Sequence, residues 1–418
     1  MTLTSRTGAS PLGAEVSSKH DVVVLGAGIA GCSTALRLTQ LGYRVALIDR
    51  NPFPASRASR HNEGKLHLGY IYAADPDGDT YKGVMRGSLE FLHITQRLTG
   101  IASHNIPRTQ GFVYAVPRDS QLTSDQVYAH LARVDEYLLT DAGPHSNPAF
   151  ERARPMRGAM TSAHFSDEIQ AVFQTSEIAI DPNYVANIYA AAVLAEPNID
   201  FLGEHEIVTV ERHREAFMII TQCAADEARI PAPAVANCLW QNRVHIDTQV
   251  GQRTTKPWLW RWKATLSFAT PDRLTTPPAT LMLGPYGDYV PYSSGRSYLS
   301  WYPSGAIGIT SDGGADPLRS VVSERDDARI RRESFAGLGR YLPELLDLPE
   351  AHEKAIIGGG YIMALGTTDV DDPLSGLHQR TDIGPTIDGT WLSLETGKLC
   401  TAPSFGLQAA EMLHDALR

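Results

Sequence analysis

Few cysteines and no long apolar run limit what this chain can be. Its four cysteines, Cys32, Cys223, Cys238 and Cys400, stand far apart and show no metal-ligand spacing. That argues against a disulfide framework or a structural metal site and suits a reducing compartment. No apolar stretch reaches the roughly 20 residues that a membrane-spanning helix needs. Residues 1–18 have neither a basic start nor an apolar core, so no signal peptide is read there. Rich in Ser, Thr and Gly, that tail is expected to be disordered, and a cytoplasmic location is expected for the whole. Basic charge is in deficit too: 37 Lys and Arg against 47 Asp and Glu give a net charge of −10. Nucleic acid or an anionic membrane is therefore not the expected partner. At 418 residues the chain exceeds one compact core, and two domains are expected.

What is present is a glycine turn in a strong context. Asp21-Val22-Val23-Val24-Leu25 reads as a buried parallel strand that runs into Gly26-Ala27-Gly28-Ile29-Ala30-Gly31, of the form G-x-G-x-x-G. A helical pattern follows from Ala30 to Leu41, Gly42 stops it, and Tyr43–Ile48 forms a second strand ending at Asp49. Gly26 makes the turn, Gly28 lets a pyrophosphate approach the backbone, and Gly31 lets helix and strand pack closely. The helix start offers N–H groups and a positive dipole end to phosphates. Asp49, about 20 residues beyond the turn, is where a carboxylate accepts from ribose hydroxyls. A dinucleotide site is the expectation, with a βαβ unit lacking a ligand as the alternative.

Two further segments carry a resemblance. Asn62-Glu63-Gly64-Lys65-Leu66-His67-Leu68-Gly69 has the form N-x-G-x-[LI]-H-x-G. Near the other end, Arg380–Asp388 resembles an R-P-x-T-x-D-G-x-P-x-I segment, and Thr396-Gly397-Lys398 through Gly406 resembles a glycine turn entering a last helix. Taken with the dinucleotide turn, these resemble the FAD-dependent oxidoreductases of the D-amino-acid-oxidase and glycerol-3-phosphate-dehydrogenase superfamily. The nearest pattern is the L-2-hydroxyglutarate oxidase branch. The resemblance implies a discontinuous, Rossmann-like α/β FAD-binding domain and a substrate domain built on a mainly antiparallel β-sheet. It implies FAD as cofactor, with contacts from Gly26, Gly28, Ile29, Ala30, Gly31, Asp49, Arg50, Arg60, His61, Asn62, Gly64, Lys65, Gly397, Lys398 and Leu399. His67 would stand near the flavin ring. His61 is a second possibility, as a covalent flavin anchor. Where relatives place Ala-Gly at the end of a later strand, Asn237-Cys238 stands here, which weakens backbone contact at that point.

The remaining pattern fits that layout. Helical periodicity covers residues 80–100 and 124–140, and Gly111–Val116 alternates as a strand. A helix is expected over 184–195, a strand over Ile199–Glu211, and a hairpin partner over Ala216–Gln222. From Thr255 to Thr270 the chain alternates, with Trp258, Trp260 and Trp262 on one face and Leu259, Arg261, Lys263 and Thr265 on the other. Tyr286–Tyr292 and Ser297–Tyr302 form a hairpin around Ser293–Arg296. The expected division is 19–75, 168–245 and 355–418 for FAD, and 76–167 and 246–354 for substrate.

The expected activity is oxidation of a C–OH or C–N bond of a small polar metabolite by hydride transfer to flavin N5. A tailoring step in specialised metabolism fits, as does an amine or amino-acid oxidase. A non-catalytic FAD-binding protein is the reading from another class. Such a reaction needs a base near neutrality, which points to His67 as base or substrate contact, against a structural histidine bonded to backbone. Arg380 is the candidate clamp for an anionic group, against a salt bridge holding its loop. Arg261 and Lys263 either face the pocket, where a lysine near the flavin favours reaction with oxygen, or form a solvated sheet face. Lys398 would lie near flavin N1–C2=O. The aromatic group Tyr286, Tyr289, Tyr292, Tyr298, Trp301 and Tyr302 suits a pocket wall or simply strand propensity. Oxygen or another acceptor takes the electrons, no metal is expected, and a homo-oligomer is possible.

Overall fold

The computed structural model describes residues 19–75, 77–140, 162–214, 216–252, 256–369, 372, 375 and 382–418. The tail 1–18 and the candidate clamp Arg380 lie outside the described residues. The strand Val22–Leu25 is buried at every position and lies parallel to Val45–Ile48 on one side and Val235–Asn237 on the other. Ile199–Leu202 and Trp391–Glu395 extend the parallel set, and Gly384–Asp388 closes one edge antiparallel, making six strands. Runs such as Val-Val-Val-Leu, without polar alternation, belong in a strand covered on both faces. Both faces are covered: Val22 and Val24 join a core with the helix Ile29–Gln40, while Val23 and Leu25 meet Ile207, Phe217 and Ile219. Those last three come from a three-stranded sheet of Glu206–His213, Ala216–Cys223 and Asp226–Ala232. The single strand expected over Ile199–Glu211 is thus two, in different sheets, with Glu204 at φ 61° in the turn between them.

The second large sheet has eight strands: Ala306–Thr310, Trp258–Ala269, Arg296–Trp301, Gly287–Pro291, Ala279–Leu281, Phe112–Pro117, Ile169–Thr175 and Ile356–Leu365. Its pairs are antiparallel except Ala279–Leu281 with Phe112–Pro117. The strand Trp258–Ala269 is its spine, paired along ten positions with Ile356–Leu365. Trp260, Trp262, Leu266 and Phe268 bury one face against Phe335 and Leu338 of the helix Asp327–Gly339. Strands Ile169–Thr175 and Ile356–Leu365 come from segments assigned to the nucleotide part by sequence, and both hydrogen-bond into this sheet. The two expected helices are present as Asp79–Thr99 and Ser124–Thr140, with Val84, Leu92, Val127 and Val134 buried. Among the described residues no helix is long and apolar enough to cross a membrane.

Candidate active site

Where the two large sheets meet lies a cavity of about 390 Å³. One end is the glycine turn. Gly26 adopts φ 90°, and a Cβ at Gly31 would stand 1.9 Å from the Gly26 carbonyl oxygen, so both positions require glycine. The helix beginning at Ile29 has no side-chain cap, and Gly28, Ile29 and Ala30 line the cavity. Ser59 Oγ accepts from Ile29 N at 3.2 Å. A helix start whose N-cap glycine supplies no side chain, with its positive dipole end toward the cavity, fits a phosphate.

Asp49 ties the second strand to this turn. Its Oδ2 accepts from Ala27 N at 2.8 Å, and its Oδ1 accepts from Asn51 N at 2.8 Å and Asn51 Nδ2 at 2.7 Å. Arg50 lines the same end and donates to Asp316 Oδ2 at 2.9 Å. Hydrogen bonds to a charged group contribute about 1.5–3 kcal/mol each. Asp49→Ala is therefore expected to weaken FAD binding about 10- to 100-fold, read by flavin titration of the stripped protein, and wild-type affinity would remove Asp49 from the cofactor site.

The loop from Ser56 to Lys65 forms one wall. Asn62 curls it: Oδ1 accepts from Gly64 N at 2.8 Å, and Nδ2 donates to Ala58 O and Ser59 O at 2.9 and 3.2 Å. Gly64 has φ 69°, and a Cβ there would lie 1.9 Å from Ile180 O. Asn62 lines the cavity, whereas Gly31, Gly64 and Arg60 do not. Arg60 holds the loop instead, donating to Ala55 O at 2.9 Å and Asn187 Oδ1 at 2.8 Å. His61 does line the cavity, against Gly358, where a Cβ would meet His61 Nδ1 at 2.1 Å. Burial, then Arg57, Arg60 and Arg296, push its pKa down to about 4, so it is neutral near pH 7.

His67 stands farther along, buried, between two acids. Its Nε2 is 3.4 Å from Glu63 Oε1 and its Nδ1 is 3.8 Å from Glu177 Oε1. Burial, helped by Lys398, holds the His67 pKa below 6.5, although Glu63 and Glu177 oppose this. Burial raises the Glu63 carboxyl, but His67, Lys65 and Lys398 outweigh it and leave that group well below the usual range. The lining here thus offers a neutral imidazole beside an ionised carboxylate.

The facing wall comes from the eight-stranded sheet. Arg261, Lys263 and Thr265 project from alternate positions of the spine strand into the cavity, and none is solvated: Arg261 is 4% and Lys263 8% exposed. Arg261 Nη1 donates to Asp369 Oδ1 at 2.7 Å. Asp288 lies between two lysines, with Lys65 Nζ at 2.9 Å from Oδ1 and Lys263 Nζ at 3.6 Å from Oδ2. Lys65 also donates to Thr280 Oγ1 at 2.6 Å. Burial draws the Lys65 ammonium down, but Asp288, Glu63 and Glu177 prevail and its pKa is raised. Of the six aromatics read as a wall, Tyr286, Tyr298 and Tyr302 line the cavity and the other three do not. Gly397, with φ 68°, Lys398 and Leu399 complete the lining before the helix Ala402–Ala416.

A family model described as "DAO: FAD dependent oxidoreductase" matches residues 21–355. The chain belongs to that family. The bifunctional protein MnmC of Ralstonia nicotianae, named for tRNA 5-methylaminomethyl-2-thiouridine biosynthesis, is 45% identical over 62 residues. That match covers 15% of this chain and only 9% of the relative's length. Among solved structures, the dithionite-reduced L-alpha-glycerophosphate oxidase of Mycoplasma pneumoniae, with FAD bound, has a TM-score of 0.66 at 14% identity, covering 94% of each chain. Glycine oxidase of Geobacillus kaustophilus has a TM-score of 0.64 at 14% identity, covering 96% of this chain and 95% of that one. At these identities the likeness shows the fold.

The protein is thus a DAO-family FAD-dependent oxidoreductase, and its cofactor is FAD. The observed residues fit that cofactor: a helix start with a glycine N-cap behind a glycine turn, a carboxylate at the next strand end, and a cavity continuing past Lys398 to His67. Sequence reasoning overlooked Glu63, Glu177, Asp288 and Thr280. Glu63 lies inside the quoted N-x-G motif, and Asp288 is a lone acid in an aromatic strand, so each left a signal; Glu177 left none.

Proposed function

We propose that this enzyme oxidises a C–OH bond of a small polar metabolite, with His67 as the base. The observation that carries the reading is a buried imidazole on the cavity wall, with its Nε2 3.4 Å from Glu63 Oε1 and its Nδ1 turned away into the protein; burial and Lys398 favour its neutral form. A carbinol carbon that gives up hydride leaves a high-energy protonated carbonyl unless a base takes the hydroxyl proton, whereas an amine already free of its proton gives a stable iminium without one. Bound FAD supplies the two-electron acceptor for the hydrogen leaving carbon. His67 Nε2 receives the hydroxyl proton, while Lys263 and Arg261 bring positive charge to the alkoxide and to any acidic group of the substrate. Tyr298 and Tyr302 supply apolar wall beside those cations, and Lys263 Nζ lies 4.3 Å from the Tyr302 ring centre.

The fold neighbours named above include an oxidase of glycerophosphate and one of glycine, so the fold alone accommodates either bond. Anaerobic mixing of holoenzyme with 2-hydroxy acids, polyols, amino acids and secondary amines separates them. Hydroxylated compounds are expected to bleach the flavin absorbance. Bleaching by amines alone would end the alcohol reading, and a flavin that no donor reduces would favour a binding protein.

A further inference from the structure

One acid near the cavity has no place in the reaction just described. Glu177 is wholly buried and does not line the cavity. Its Oε2 accepts from Leu68 N at 2.7 Å and its Oε1 from Tyr114 OH at 2.5 Å. The remaining approach to Oε1 is taken by His67, whose Nδ1 is buried and makes no hydrogen bond among the described residues. A distance of 3.8 Å is too long for a hydrogen bond, but a shift of about 1 Å closes it. We propose that Glu177 is the positioning residue for His67: it draws the ring hydrogen to Nδ1 on the buried side, against the pull of Glu63 at 3.4 Å from Nε2, so that Nε2 can accept from substrate, and it faces the charge that the ring gains with the substrate proton.

This rests on the reading of His67 as base. A histidine flanked by an oriented carboxylate on one nitrogen presents the other as acceptor, and the anion stabilises the imidazolium. Glu63 is less suited to that task, because it shares the cavity wall with the substrate. The other groups around the ring are accounted for. Lys65 and Lys398 both oppose its charging, the Tyr72 ring centre is 6.1 Å away, and Ser88 Oγ donates to the His67 carbonyl oxygen at 2.6 Å. Around Glu177 stand Tyr114, Lys65, Tyr70 and the Cys400 thiol.

The test is nitrogen-15 histidine NMR of the holoenzyme without substrate, with the His67 signal assigned by its loss in His67→Asn. In Glu177→Gln the His67 titration is expected to fall by about one pH unit, a tenfold change in the charged fraction. In Tyr114→Phe it is expected to rise, because Oε1 loses its competing donor. A His67 titration unmoved in Glu177→Gln overturns the proposal. Should that variant not fold, an unmoved titration in Tyr114→Phe does the same. A Glu177 that acts only as a nearby charge would lower the titration in Glu177→Gln and leave the ring hydrogen in place. The nitrogen-15 shifts of the neutral ring must therefore also show that hydrogen moving from Nδ1 to Nε2, and shifts that keep their wild-type pattern overturn the proposal as well. Because no substrate is present, this outcome is separate from the alcohol reading, which falls instead if His67→Asn is reduced by hydroxylated compounds at the wild-type rate.

Discussion

Holoenzyme carrying His67→Asn is expected to be reduced by its substrate about 10²- to 10⁴-fold more slowly than wild type, the range that general-base catalysis contributes. FAD content and spectrum should stay unchanged, since Asn keeps a polar side chain of similar reach and the glycine turn is remote from it. Stopped-flow reduction under nitrogen isolates the step from reoxidation. The pH profile adds a second check with a definite sign. Burial first, and Lys398 next, hold the His67 pKa below 6.5, so the neutral, proton-accepting form persists below that pH. Wild-type reduction should therefore be level through neutrality and fall only on the acid side of 6.5, and the asparagine variant should lack that acid limb. A variant with full rate, or one that keeps the limb, takes the base role away from His67.

How much of this site was legible depends on whether each feature is local in sequence. The glycine turn, its helix and Asp49 occupy adjacent strands, so spacing alone conveyed them, and Ala27 N does reach Asp49. Arg261 and Lys263 were legible as a pair by alternation. Whether their face met solvent or cavity was not, because that depends on which sheet face the tryptophans bury. The acids were hidden for a different reason. Lys65 and Asp288 are 223 residues apart, and Leu68 and Glu177 are 109 apart, so no window of sequence contains either pair. The expected strand over Ile199–Glu211 erred similarly. Both halves favour β-structure locally, but the turn at Glu204 separates a parallel sheet from an antiparallel one, a choice made by distant partners.

Asp288→Asn is expected to destabilise the protein more than Lys65→Met does, because it breaks two ion pairs where the lysine variant breaks one. Asp288 is the carboxylate that Lys65 and Lys263 share, at 2.9 and 3.6 Å, and all three side chains are buried. Removing its charge leaves two ammonium groups in a low-dielectric wall, with Glu63 and Glu177 as the remaining counter-charges for Lys65. Breaking a buried pair from one side is destabilising by about 3–5 kcal/mol, because the surviving charge has lost its compensation. Lys65→Met is the milder change. Asp288 then retains Lys263 and still accepts from Thr280 Oγ1 at 2.6 Å and Ser300 Oγ at 3.2 Å, so a loss near the low end, about 3 kcal/mol or less, is expected. Chemical denaturation of the two holoenzymes side by side measures the order. The lysine variant proving the less stable would mean that Lys65 is held chiefly by its packing against Phe112, 4.9 Å from its ring centre, rather than by the shared carboxylate.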